Sequence, residues 1–536
     1  FLTYDVYGWN QTTRQGNVET GRIANKVSLN QWFTESEGYT IQPALEYSNK
    51  FGKHAVSGLF LYEFSRTDEF SMSAGRTDFP ITDIMDLNYG LEVNKDLVKG
   101  GHSQAKRAGY VIRLNYSYDD KYLLEFTSRI DASTALPKKY RWGVFPGVSV
   151  GWRLSQEDFF KEAVPFMENL KIRASDPTVL FGTSPQKYLG LSSPVNPLLK
   201  WQLTDTYNIG IESSMWNGLL GVELDVFYMK TTRSLESQSA NFPPSLGSYY
   251  PTYINYGSHD NRGFELVLSH NNQIRDFTYR VRGNLSWARN KVLKMTEDAN
   301  VPDYKRATGG PMGRYWGFVA DGLFQSEEEI AHSAVFGPTL PGDIKLKDIN
   351  GDGKITWDQD MVPIGRSNTP EMMFGLNLGA EWKGFDFNML LQGAALFDVN
   401  LCGLYSSGIR DDTFYTRPFY ADGNTPYYLV EGAWRPDHTD AKYPRLGIDS
   451  RSNGGKFSSW WVVDGSYVRL KSIQLGYTIP KKWSKKAGFE RIRAYVAGGN
   501  LFTLSHLEHM DPEMPSVNQG YYPQQRTYEF GLNVTF

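Results

Sequence analysis

Asp348, Asn350 and Asp352 alternate with other residues in Asp348-Ile349-Asn350-Gly351-Asp352-Gly353-Lys354-Ile355. Side-chain oxygens at positions 1, 3 and 5, a glycine at 6 and a backbone carbonyl at 7 make the first half of a calcium loop, and Lys354 supplies that carbonyl. Such a loop closes with a bidentate acid at position 12. Here that position is Gln359, with Asp358 and Asp360 on either side. The spacing has slipped by one, so both acids are candidate closing ligands and Ca2+ is the expected ion. The plainer reading is an acidic surface loop that folds without metal.

A second group of residues could grip a substrate. Tyr249, Tyr250 and Tyr253 cluster in one stretch, and Phe414, Tyr415, Phe419, Tyr420, Tyr427 and Tyr428 in another. Aromatic faces stack on flat apolar surfaces, sugar rings and peptides among them. Tyr249, Tyr250, Phe414, Tyr415, Tyr420, Tyr427 and Tyr428 are therefore candidate substrate contacts. For any single ring, loop packing or a membrane-interface position is the commoner explanation. Trp460 and Trp461 precede a strand pattern and are assigned to an interfacial girdle. Catalytic chemistry finds no support. The eight histidines show no His-Glu-x-x-His spacing, and no glycine-rich loop joins a strand to a helix.

The elements that must carry these residues alternate with period 2. Tyr110, Ile112, Leu114, Tyr116 and Tyr118 share one face, and Val111, Arg113, Asn115 and Ser117 the other. After Asp119-Asp120-Lys121, Tyr122, Leu124 and Phe126 alternate with Glu125, Thr127 and Arg129. Val222, Leu224, Val226 and Tyr228 alternate with Glu223 and Asp225. Tyr279, Val281, Leu285 and Trp287 alternate with Arg280, Arg282, Asn284 and Ser286. Successive strand residues face opposite sides, so each segment has one apolar and one polar face. About sixteen such segments, of around ten to twelve residues, can be counted. Short turns such as Asn217-Gly218 and Lys383-Gly384 alternate with long connections, Ala288–Glu371 and Ala395–Ser466. That asymmetry predicts an all-β antiparallel transmembrane barrel occupying residues 1–536, with long extracellular loops. Charges such as Arg113, Glu125, Arg129, Glu223, Arg280 and Arg282 should face the lumen, because a charge facing lipid at mid-depth costs about 2–4 kcal/mol.

Composition agrees. Aromatic residues are 15% of 536, glycine occurs 51 times, and net charge is −3. The charge balance gives no basic footprint for nucleic acid. A single cysteine, Cys402, excludes an internal disulfide framework. No apolar run is long enough for a membrane helix. On the last segment, Tyr528, Phe530, Leu532, Val534 and Phe536 share a face and should meet lipid.

Several stretches resemble the SusC/RagA family of Bacteroidetes TonB-dependent transporters. The C-terminal Tyr522-Pro523-Gln524-Gln525-Arg526-Thr527-Tyr528-Glu529-Phe530-Gly531-Leu532-Asn533-Val534-Thr535-Phe536 looks like that family's ending. In family order come Arg141–Pro146 running into Trp152–Ser155, Asn196–Trp201, Ala320-Asp321-Gly322-Leu323-Phe324-Gln325, Trp434-Arg435-Pro436, Tyr443-Pro444-Arg445-Leu446, and Ser466-Tyr467-Val468-Arg469-Leu470-Lys471. The resemblance implies a 22-stranded plugged barrel. The N-terminal signal, plug and first strands are not visible here, and the full-length protein is expected to extend beyond Phe1. A turn at Arg173-Ala174-Ser175-Asp176-Pro177 is short for the loop the family has there.

The resemblance also implies a mechanism. A SusD-like lipoprotein lids the extracellular mouth, and TonB, driven through ExbB/ExbD, pulls the plug to admit oligosaccharides or oligopeptides across the outer membrane. Dimers of transporter–lipoprotein pairs are among the assemblies it allows. The alternative within the family is a non-transporting barrel scaffold in an assembly or secretion complex. A soluble β-rich glycoside hydrolase is the rival outside it. The two long loops argue for the lid, since ordering them alone costs conformational entropy that packing on a partner would offset.

Overall fold

The structure, a computed structural model, describes residues 2–15, 28–78, 86–93, 98–179, 196–237, 253–298, 301–402, 426–447, 457–513 and 524–536. Its contacts group the chain into two units. One comprises Phe1–Arg153, Arg173–Tyr207 and Met229–Ser258; the other comprises Leu154–Ile172, Asn208–Tyr228 and His259–Phe536.

In the first unit, β1 (Leu2–Gln15) pairs antiparallel with β2 (Ser28–Ile41). β2 and β3 (Ala44–Phe51) lie in line along β4 (His54–Thr77), interrupted at Gln42-Pro43. The two-residue β5 (Glu92–Val93) also meets β4. β4 then pairs with β6 (Lys99–Tyr118), β6 with β7 (Tyr122–Ser133), and β7 with β8 (Trp142–Arg153). Strands β9 (Met167–Val179), β10 (Leu203–Met215), β11 (Leu220–Ser237) and β12 (Tyr253–Ile274) contribute residues to both units.

The second unit continues with β13 (Phe277–Lys294). Its connection to the next long strand carries β14 (Trp316–Gly317), β15 (Ala320–Leu323), β16 (Ile344–Leu346) and β17 (Val362–Pro363). β18 (Met372–Trp382) and β19 (Phe385–Ala395) form a hairpin. β20 (Asp398–Asn400) and β21 (Val462–Asp464) pair with each other. β22 (Tyr467–Thr478), β23 (Arg491–Gly499), β24 (Thr503–Ser505) and β25 (Thr527–Thr535) complete the order, with β22 between β19 and β23, and β25 on β23.

Nineteen of these strands belong to the large sheet. β2 with β3, and β23 with β24, each make one interrupted length, and β5 is a fragment, so among the described residues the lengths number sixteen, beside the about sixteen expected from the alternation. Their extent differs from the expected ten to twelve residues. β4 has 24 residues, β6 has 20 and β12 has 22. About nine to eleven tilted residues cross a bilayer, so these strands continue as paired ribbons beyond it. The expected turn at Arg173–Pro177 is also overturned, because β9 runs through it without a break. Pro177 sits near the end of that strand, where a missing N–H is tolerated.

The apolar face points outward. Leu114 and Leu124 on adjacent strands are exposed, as are Tyr528, Phe530, Leu532 and Phe536 at the C-terminus. None of these rings or methyls lies in a closed core between two sheets. Aromatic pairs gather where short turns join strands: Tyr122 stacks with Trp152, Phe166 with Trp216, and Phe385 meets Tyr477 at 4.5 Å. Interface rings are amphipathic and favour this level.

The short turns themselves are left-handed. Asp119 and Asp120 have φ of 53° and 54°, and Lys383 and Gly384 have 44° and 91°. Two residues at positive φ match the right-handed twist of the flanking strands. Gly384 is further confined, because a Cβ there would stand 2.8 Å from the Thr478 carbonyl oxygen. Gly384→Ala should lower stability by about 1–2 kcal/mol. Lys383→Gly should leave it unchanged or slightly raised. Urea unfolding in lipid vesicles distinguishes the two, and equal effects would show that the turn is not backbone-limited.

Candidate functional site

The two long connections of the second unit fold together. Phe318, Leu323 and Ile344 from the first, and Leu429, Trp434 and Trp461 from the second, share one buried core. Backbone bonds stitch them: the Phe318 N–H donates to the Phe457 carbonyl (3.1 Å) and the Ser459 N–H to the Phe318 carbonyl (2.8 Å). Asp343, fully buried, pairs with Arg445 at 2.9 Å. The Trp434 indole N–H donates to the Gln325 amide oxygen at 3.0 Å. Gly342, at φ +87°, lies under the Trp434 ring, and a Cβ would approach that ring to 2.4 Å. Three of the stretches that carried the family resemblance thus meet in one place.

This changes the argument from loop entropy. The described parts of the loops bury aromatics against each other, so their ordering is already offset by internal hydrophobic burial. A covering partner is not required to explain why they are folded. Trp460 and Trp461 are also relocated. They belong to this core and not to a girdle: Trp461 is 2% exposed, and the strand it precedes pairs with β20 outside the large sheet.

The acidic loop closes against the same core through Ile355. The Asp348 carboxylate accepts the Gly351 and Gly353 N–H groups, each at 2.7 Å. Asn350 accepts from the Asp352 N–H at 3.2 Å, and Asp352 from the Lys354 N–H at 2.9 Å. The Asn350 amide beside Asp352 holds its carboxyl below the ordinary value. Asp348, Asn350 and Asp352 therefore lie in one turn. Gln359, at the closing position, accepts from the Asn350 amide. Asp358 lies next to it, with its backbone carbonyl bonded to Lys305. Asp360 is fully buried and caps the loop from beneath, accepting the Ile349 N–H (2.9 Å) and the Thr356 N–H (2.7 Å). Among the described residues, no three His, Cys, Asp or Glu side chains gather where they could hold a metal. Asp360→Ala should loosen the loop by about 1–3 kcal/mol, since two partly buried N–H donors lose their acceptor. Faster amide exchange at Ile349 and Thr356 would register it; unchanged exchange would mean that other groups hold the loop.

Of the aromatic candidates, Tyr427 and Tyr428 lie in the helix Tyr427–Glu431. Tyr427 is 75% exposed. Tyr428 packs on the loop core and stacks on His509, with ring centroids 3.7 Å apart. Tyr253 opens β12, its carbonyl accepting from the Asn196 amide. Tyr249, Tyr250, Phe414, Tyr415, Phe419 and Tyr420 lie outside the described residues.

Several of the polar-face charges pair with their neighbours. Arg129 meets Asp131 at 3.1 Å, Arg280 meets Glu381 at 3.5 Å, and Arg282 meets Glu223 at 4.0 Å. A stronger network escaped the sequence reading. Arg469, 4% exposed, contacts Asp511 (2.8 Å), Glu513 (3.1 Å), Gln524 (2.8 Å) and Thr503 (2.8 Å). A bulge in β22 between its pairings at Leu470 and Ser472 re-aims Lys471, whose ammonium reaches Glu513 at 2.9 Å. Arg469 and Lys471 together moor the segment after β24. His509 and Glu508 of that segment then touch Tyr428 and Lys442.

Long antiparallel strands with an apolar outer face, rings at the short turns and connections folded into their own core define a barrel of the outer-membrane receptor class. The chain belongs to the TonB-dependent receptor family: residues 1–501 match the family described as TonB dependent receptor-like, beta-barrel. It is 29% identical over 548 residues to TonB-dependent receptor P26 of Formosa agariphila, covering 94% of this chain and 53% of that protein. It is 25% identical over 474 residues to TonB-dependent receptor SusC of Bacteroides thetaiotaomicron, covering 80% and 43%. The structure of the RagAB peptide transporter superposes with a TM-score of 0.70 at 19% identity, over all of this chain and 59% of that one, a likeness of fold. The chain spans about half the length of the curated relatives it matches. Members of this family are outer-membrane receptors and transporters, not enzymes.

Proposed function

We propose that this barrel serves active, TonB-dependent import of oligosaccharides or oligopeptides across the outer membrane, energised through ExbB/ExbD and working with a SusD-like surface lipoprotein. The observation that carries the reading is the pre-folded loop assembly, which presents Tyr427 outward from a rigid base. A rigid base lowers the ordering cost of capturing a flexible ligand or docking a partner. The name of one structural relative, a peptide transporter, favours the oligopeptide arm.

Deletion of the gene tests it, with uptake of labelled oligopeptide and oligosaccharide mixtures measured with and without a protonophore. Loss of one class of uptake, in the deletion and with the protonophore alike, is the expected result. Unchanged uptake of both would favour the non-transporting scaffold. Pull-down of the tagged barrel from detergent should bring a lipoprotein with it, across an interface of well over about 2,000 Å². Elution of the barrel alone would leave a simpler receptor.

For the acidic loop, Ca2+ is the proposed ion, with Asp348, Asn350, Asp352 and the Lys354 carbonyl as its ligands. With two carboxylates and no bidentate closing acid, its Kd should fall at about 10⁻⁴–10⁻³ M. Calorimetric titration checks this, and absence of heat up to about 10 mM would leave the loop as a purely hydrogen-bonded turn.

A further inference from the structure

At its short-connection end, β22 passes through Ile479 and Pro480 into a six-residue helix, Lys481–Lys486, before β23 returns. The helix reads Lys-Lys-Trp-Ser-Lys-Lys. Ser484 is buried, and its hydroxyl reaches the Lys481 and Glu490 carbonyls, each at 3.3 Å. With about 100° between successive residues, that orientation puts Lys482 and Lys486 opposite Ser484, Lys485 and Trp483 on the two flanks, and Lys481 nearest the buried side. All four lysines are exposed, and none is in an ion pair among the described residues. Trp483 is 63% exposed. The neighbouring carboxylate in sequence is Glu490, four residues beyond Lys486, also exposed.

On the outer face of the strands that flank the helix in sequence lies an apolar depression of about 520 Å³. Two rows of the sheet form it. Tyr477, Ala494 and Leu532 stand in register in one row, and Leu475, Val496 and Phe530 in the next. Ala494 is the small member, and its methyl leaves the dent between the Tyr477 ring and Leu532. From Ala494 to Arg491, where β23 begins, is three residues, roughly 10 Å along a strand. Trp382 and Phe385, both exposed, mark the membrane interface at this end.

An apolar groove along the strand direction with a cluster of cations at its interfacial end complements a molecule with one anionic head and long apolar tails. We propose that this is a binding site for an anionic phospholipid of the periplasmic leaflet. Lys482, Lys485 and Lys486, with Lys481 at their edge, supply the charge for its phosphate, Trp483 lies at headgroup level, and an acyl chain occupies the groove over Ala494. Short turns of outer-membrane barrels are periplasmic, which fixes the leaflet. A second protein would need a matched carboxylate surface; a lipid needs only the charge and the groove, both of which are in place.

The test is native mass spectrometry of the full-length protein in a non-ionic detergent, titrated with dioleoylphosphatidylglycerol or dioleoylphosphatidylcholine. The anionic lipid should be retained about tenfold more strongly. The quadruple variant K481Q/K482Q/K485Q/K486Q should lose that preference, and the matching arginine set should keep it. Ala494→Trp fills the groove and should weaken both lipids about tenfold with the lysines intact. Inorganic phosphate at about 10 mM should displace neither. Equal retention of the two lipids, an unchanged preference in the glutamine variant, or displacement by phosphate would overturn the site. If the glutamine variant fails to fold, as its electrophoretic heat-modifiability would reveal, Ala494→Trp decides: unchanged lipid retention overturns the proposal.

Discussion

Arg469→Met should release the segment after β24 from the sheet while leaving the strands paired. The guanidinium is almost fully buried and holds Asp511, Glu513, Gln524 and Thr503 at once. Methionine keeps the volume but removes the cation. Asp511 then loses its cation and keeps only a hydrogen bond from the Glu513 N–H, while Glu513 keeps Lys471 and the Gln524 amide. Breaking a buried pair by removing one member costs about 3–5 kcal/mol, mostly from the charge left behind. Amide exchange across residues 506–513 should therefore accelerate by roughly two to four orders of magnitude. Exchange in β18 and β19 should not move. Arg469→Lys should fail to rescue, because a point charge cannot reproduce a planar fork with several fixed donors. The triple variant R469M/D511N/E513Q should recover part of the loss by removing the orphaned charges. If protection in 506–513 stays at the native level in R469M, the network is not what moors this segment. Because His509 and Glu508 in turn touch Tyr428 and Lys442, the loosening should also reach the helix Tyr427–Glu431.

Trp461→Ala should unfold the loop assembly of the second unit without dissolving its sheet. Trp461 is 2% exposed, touches residues of both long connections, and accepts the Leu401 N–H on its carbonyl at 2.8 Å. Truncating a buried tryptophan costs about 3–5 kcal/mol through lost transfer energy and the cavity that remains. That is comparable to the whole stability of a small packed unit. Limited proteolysis should then cut within 301–371 and 426–465, where the native protein resists. The heat-modified electrophoretic shift of the barrel should persist, since strand pairing does not depend on this core. Tyr427→Ala is the control. Its side chain stands in solvent, so stability should change by less than about 0.5 kcal/mol. On the import reading, Tyr427→Ala should still weaken capture of partner or substrate, and Trp461→Ala should weaken it further by dismantling the base. Resistance of W461A to proteolysis would show that the two loops fold independently of their shared core.

Much of this architecture was legible in the residues themselves. Alternation in β6, β7, β11, β13 and β25 places one face toward lipid because a strand's side chains repeat every two residues, so local spacing alone assigns each side chain to a face. The turns at Asp119-Asp120, Asn217-Gly218 and Lys383-Gly384 are equally local: residues that tolerate positive φ sit where the strand twist demands it. Strand lengths were underestimated because the ribbons continue past the membrane, where lipid no longer enforces an apolar face and the periodic signal fades.

Tertiary structure alone decided what the long connections do. Trp434 meets Gln325 across 109 residues of sequence, and Arg445 meets Asp343 across 102. Contacts at such separation leave no periodic trace, so Trp461 looked like an interface ring when it is core, and Asp360 looked like a closing ligand when it caps backbone. Arg469 stood out in the sequence only as part of the Ser466–Lys471 stretch. Only the fold reveals that it is buried, with acids 42 and 44 residues away turned onto it. The sequence determined the faces of the strands because that information is carried by neighbours. The loop core, the mooring network and the lysine-edged groove arise where distant segments meet, and burial there, not spacing, assigns each residue its part.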